Sequence, residues 1–82
     1  MSGPYETERQ AADAARHIYD IEPSVGAWTE PNLALLMDAV ADAGIAVGEY
    51  DSRILRWLAG WEPSTCAVIA GLISRARQAG AR

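Results

Sequence analysis

Asp13, His17 and Asp20 stand at i−4, i and i+3 in a stretch rich in helix formers. If that stretch is helical, one face carries an imidazole between two carboxylates, the beginning of a metal site. His17 is the only histidine, and Asp and His at such spacings are usually a solvated surface. Ser24 can be drawn towards His17 and Asp20 by the loop between them, but no oxyanion donors can be identified, so no triad is assigned. Cys66, the single cysteine, sits in an apolar run without an evident base, where a thiol is inert. Gly44, Gly48, Gly60 and Gly71 punctuate or pack helices and form no phosphate-cradling loop. These residues predict no catalytic group, no metal and no cofactor, and hence a protein that is not an enzyme.

The elements that must position any site are bounded by size. A chain of 82 residues predicts one small fold. At this length only about 60% of the unfolded surface can be buried, so stability needs efficient packing or a partner. No apolar run approaches the ~20 residues that span a bilayer, and "MSGPYETERQ" lacks the basic-then-apolar start of a secretory leader. With one cysteine, this predicts a cytoplasmic protein with no membrane partner. All the basic residues are arginine, and sixteen residues are alanine, as a GC-rich genome would produce. The net charge of −4 argues against general affinity for nucleic acid. It is unevenly spread: residues 1–44 carry eight acids against two arginines, or −6, and residues 45–82 carry five arginines against three acids, or +2. Eight acids over that length are too sparse for a mimic of DNA.

Periodicity predicts an all-α fold, a small three- to four-helix bundle. A first helix over about 6–19, "TERQAADAARHIY", has only Ile18 and Tyr19 as large apolar residues. It is expected to be a loosely docked arm that, with the Pro- and Gly-punctuated loop after it, occupies residues 1–28. The core is expected over 29–82. A second helix over about 31–43 carries Leu33, Leu36, Met37, Val40 and Ala43 as one stripe, with Asp38 and Asp42 opposite and Gly44 to stop it. Trp28 is expected to staple onto Leu33. A third helix over about 50–59 points Ile54, Leu55 and Leu58 inward and Arg53 and Arg56 outward, with Glu49 placed to pair with Arg53. A fourth runs over about 63–79, with Trp61 stapled onto Cys66.

This fourth helix holds eight consecutive apolar or glycine residues, "CAVIAGLI". Such a helix is either the buried centre of its fold or half of an interface. Its stripe of small residues, Ser64, Ala67 and Gly71, invites another helix to approach closely. The reading favoured here is a non-enzymatic protein-protein interaction or regulatory module that self-associates, as a homodimer or other oligomer, through the fourth helix or binds another protein there. The expected contacts are Trp57, Val68, Gly71 and Leu72, with Arg53 and Arg56 at the rim, since Trp and Arg dominate interface hot spots.

The alternative is a DNA-binding transcriptional regulator. Residues 50–59 and 63–79 form a helix-turn-helix-like pair around Gly60, and "LAGWEPST" resembles turns common in bacterial repressors. In that reading Arg53, Arg56, Ser64, Arg75 and Arg77 would contact DNA. The outward residues of the second helix would be Glu62, Pro63, Ser64, Ala67, Val68 and Gly71, none of which reads base edges. The longer stretch "EYDSRILRWLAGWEPSTCAVIAGLISRAR" (49–77) resembles small uncharacterised proteins of high-GC actinobacteria and their mobile elements. That resemblance implies a source and no activity, and no small-molecule ligand is expected.

Overall fold

A computed structural model describes residues 3–20 and 25–80. The chain runs α1 (Glu8–Ala14), α2 (Arg16–Tyr19), a 3-10 turn (Val25–Trp28), α3 (Thr29–Asp42), α4 (Glu49–Leu58) and α5 (Pro63–Gly80). There is no strand among the described residues, so the fold is all-α. No helix among them is long and apolar enough to cross a membrane.

The helix ends follow from particular residues. Thr7 caps α1, its hydroxyl accepting from Gln10 N–H at 3.2 Å. At Ala15 the helix tightens: one N–H is shared between the carbonyls of Ala11 and Ala12, both at 3.1 Å, and α2 follows as a single turn. At the end of α3, Gly44 takes φ +71°, where its N–H reaches Ala41 O at 3.0 Å and Ile45 N–H reaches Val40 O at 3.1 Å. These two bonds close the helix by the Schellman pattern, which needs a left-handed residue at that point. α4 begins at Gly48, whose N–H donates to the Asp51 carboxylate at 3.0 Å. Glycine has no side chain to return the bond, so only half of a capping box forms. α4 ends differently from α3. Gly60 and Trp61 N–H groups reach back three residues, to Trp57 O and Leu58 O, and Gly60 keeps a negative φ. Its conformational freedom is not used.

α5 is the central helix, packed on one side by α3 and on another by α1, while α4 packs on α3. Leu36, Ala39, Ala59, Cys66 and Ala70 are the buried cluster, with Leu33, Leu55, Leu58, Ile69 and Ile73 packed around it. The first helical segment is not the loose arm expected from its composition. Ala11, Ala15 and Ile18 are each only 1% exposed. Alanine adds little burial energy, but it lets helix axes come close, and the α1 alanines meet the small stripe of α5. Ala14, Ala67 and Gly71 line one crevice along this seam, and Ala11, Ser64 and Val68 line another. The close-packing helix that the small stripe called for is supplied by the chain itself. Tyr19 completes the seam: its hydroxyl accepts from Ser64 N–H at 3.4 Å, capping α5 from outside.

The interior is therefore made mostly of small side chains. Of the ten apolar residues buried among the described residues, six are alanine. The Cα envelope is 39 × 31 × 15 Å, the thickness of two helix layers, since axes ~10 Å apart with Cα radii of ~2.3 Å span about 15 Å. A slab of this shape cannot enclose many large side chains, and it does not.

Candidate functional site

Among the described residues six large apolar side chains are exposed, and five of them lie on or beside α4. Tyr50 (71% exposed), Ile54 (42%), Trp57 (63%) and Trp61 (53%) follow one another at steps of four, three and four. Ile45, just ahead of the helix, is also exposed. That spacing keeps Tyr50, Ile54 and Trp57 within one stripe of the helix surface. No residue of α4 is fully buried; Leu55 and Leu58 are half-buried against the core. Trp57 and Trp61 meet edge to face, with ring centroids 6.0 Å apart. They form one continuous aromatic patch across the α4–α5 turn. Trp61 is thus not stapled onto Cys66. The turn bonds carry it outward and leave Ala59 to fill the core.

Two features hold this surface in place. Asn32, wholly buried on α3, donates its side-chain amide to Ala59 O at 2.9 Å and to Trp61 O at 2.8 Å. The opposite amide orientation would set an oxygen against two carbonyls, so the donor's placement is dictated. The cost is an Oδ1 that is buried without a partner among the described residues. At the rim, Arg56 pairs with Glu30 of α3 at 2.9 Å, an exposed bond worth at most about 1 kcal/mol. Glu49 and Arg53 form no ion pair with each other. Beside the first half of α4, a groove of about 330 Å³ is lined by Val40, Ile45, Val47, Tyr50 and Ile54, with Asp51 at its edge.

The expected contacts separate into two sets. Arg53, Arg56 and Trp57 share the α4 surface. On α5, Leu72 is 51% exposed, but Val68 is half-buried and Gly71 is buried inside the chain. α5 hides most of its apolar surface within its own fold, so Gly71 is withdrawn as a contact. The same burial bears on DNA contact. Ser64, Ala67 and Gly71, which a recognition helix would turn to a groove, are buried along the α1 seam. Arg77 is exposed, Arg75 is half-buried, and Arg53 has Glu49 one turn away on the same helix.

The remaining chemistry-bearing residues stay apart. His17 is exposed, and Asp13 pairs with Arg16 at 3.4 Å. Among the described residues no three of His, Cys, Asp and Glu gather to hold a metal. Ser24 lies outside the described residues. Cys66 is fully buried, its Sγ donating to Leu58 O at 3.5 Å, and burial pushes the thiol up to about 11. Asn32 was missed from the sequence, although it stands four and seven residues before Leu36 and Ala39 on the inward line. Comparison of the chain with known protein families, with curated proteins and with solved structures finds no match.

Proposed function

We propose that the chain is a non-enzymatic protein-interaction and regulatory module of the cytoplasm that docks through the exposed stripe of α4 and the Trp57–Trp61 pair. One observation carries the reading: alanines fill the interior while Tyr50, Ile54, Trp57 and Trp61 stand in water along one line. Contiguous exposed apolar surface marks an interaction site on a folded protein, and aromatic anchors rimmed by arginine match the residue types that dominate interfaces. The surface sits on a rigid helix tied to the core by Asn32. It is therefore organised before any partner arrives.

The test is site-specific photo-crosslinking in the cells that make the protein. A crosslinking residue at Trp57 should give a discrete protein adduct, and one at Gln10, on the exposed side of α1, should not. An adduct from Leu72 but none from Trp57 would return the interface to α5. Silence at both would remove the reading.

A further inference from the structure

We infer that the N-terminal segment up to Ala14 is a hinged cover: α1 leaves α5 by opening at Ala15, while α2 and the rest of the fold stay in place. This cover lies on a different face from the α4 stripe and is independent of the docking role proposed there.

The hinge is visible in the backbone. Ala15 takes φ −99° and ψ 13°, in the sparsely populated region beside the helical one. It separates the seven residues of α1 from the single turn of α2. On the α2 side the anchors are large and interior. Ile18 is seated in the core, the Tyr19 hydroxyl accepts from Ser64 N–H at 3.4 Å, and the Tyr19 ring meets Trp28 edge-on. On the other side, α1 itself fully buries one residue, Ala11. Its ion pair, Asp13 with Arg16, is exposed and internal to the segment. The contacts ahead of α1 lie at the rim: Tyr5 is half-buried, and Gly3 passes against the Arg75 guanidinium.

Packing beneath α1 is thin. A crevice of about 210 Å³ opens on its α3 side, between Ala14 and Leu35, Asp38 and Ala39. Another, of about 250 Å³, opens on the side away from α3, between Ala11 and Thr65 and Val68 of α5. Along both gaps α1 lacks the side-chain contacts that would hold it down. Its capping bonds are local: Gln10 N–H donates to the Thr7 hydroxyl, and Glu6 N–H donates to the Gln10 side-chain oxygen at 2.6 Å. Helices shorter than about 12 residues are marginal in water, so undocking and unwinding of α1 are one event. A unit with so few buried apolar contacts opens before the whole fold does.

Opening lays bare Ser64, Ala67 and Gly71, which are buried along the seam. α1 thus governs access to that face of α5 and leaves Tyr50, Ile54, Trp57 and Trp61 as they are.

The experiment is hydrogen exchange of the full chain, read amide by amide by NMR at low urea concentrations. The α1 amides from Ala11 to Ala14 should exchange about a hundredfold faster than those of Cys66 to Ala70, and with little dependence on urea. The Ile18 and Tyr19 amides should follow the slower set. Leu36→Ala weakens the core away from α1, so it should speed exchange in α3 and α5 by about tenfold or more. The α1 rates should stay within about twofold, because α1 opens without α3. Leu55→Ala, a milder change on α4, makes the same comparison should Leu36→Ala fail to fold. Exchange in α1 no faster than in α5, or accelerated in step with α5 in either variant, overturns the cover. Ile18 and Tyr19 amides that open together with α1 overturn the hinge at Ala15.

Discussion

The side-chain amide of Asn32 and the backbone carbonyl of Trp61 are joined by a 2.8 Å hydrogen bond, formed from the first turns of α3 across to the turn between α4 and α5. The same amide reaches Ala59, so one buried group holds both sides of Gly60.

Removing that group should be costly out of proportion to its size. Asn32→Ala strands two carbonyl oxygens, each worth about 1–3 kcal/mol when left unsatisfied in the interior. Relief of the unpartnered Oδ1 offsets part of this, for a net loss of about 2–3 kcal/mol in urea unfolding. Asn32→Asp should be worse than alanine at neutral pH, because it buries a carboxylate against two carbonyls. Part of that loss should return in acid, as the new carboxyl takes up a proton and regains a donor.

At Gly44 the backbone conformation requires glycine. Its φ is +71°, and an added Cβ would meet nothing within 4 Å. Gly44→Ala should therefore cost about 1 kcal/mol from conformation alone, with Gly44→Asn losing less because asparagine tolerates the left-handed region. A thermal melt of the two variants separates these outcomes. If alanine were the better tolerated of the two, the explanation for the end of α3 would fail.

Cys66 should be inert to thiol reagents in the folded protein and react only as the chain opens. Burial raises its pKa from the ordinary 9.0 to about 11. The unfolded thiol ionises first, so the contribution is fully present below pH 9 and is lost as pH rises from about 9 to about 11. Two pKa units correspond to about 2–3 kcal/mol at the limit. Tyrosine ionisation is common to wild type and Cys66→Ala, so the difference between their stability–pH curves isolates the thiol. That difference should narrow across this window.

Large and small side chains should show inverted sensitivities. Leu36→Ala should cost about 2–5 kcal/mol, since Leu36 is fully buried. Trp57→Ala, which removes a much larger group, should change monomer stability by no more than about 0.5 kcal/mol. Ala15→Leu should be as damaging as many core deletions, about 1–3 kcal/mol, by forcing α1 off α5. Chemical denaturation in dilute solution reads all three.

The sequence made the helices legible wherever a stripe of large apolar residues or a stop residue marked them. The inward line through Leu36 and Val40 and the closure at Gly44 are examples. It misjudged α1 because burial was weighed by side-chain size, and Ala11 and Ala15 act through proximity rather than area. It misplaced Trp61 because a bulky residue beside a turn was assigned to the core. The three-residue turn bonds after α4 instead rotate that side chain outward. Trp28 likewise meets Tyr19 edge-on at 5.2 Å, an aromatic contact that the staple pattern does not contain. Asn32 was passed over because an amide near a helix start reads as surface. Its place on the apolar line was the available signal.

A seam of alanine on serine, alanine and glycine has little in it to key one helix against sliding along the other. On α1 and α2 the features that resist such a slip are Ile18, seated in the interior, and the Tyr19 hydroxyl on Ser64. The lengthwise registration of the N-terminal segment is thus vested in two neighbouring side chains at one end, like a rail pinned at a single tie. Tyr19→Phe would leave every helix intact and loosen the alignment of the first against the last.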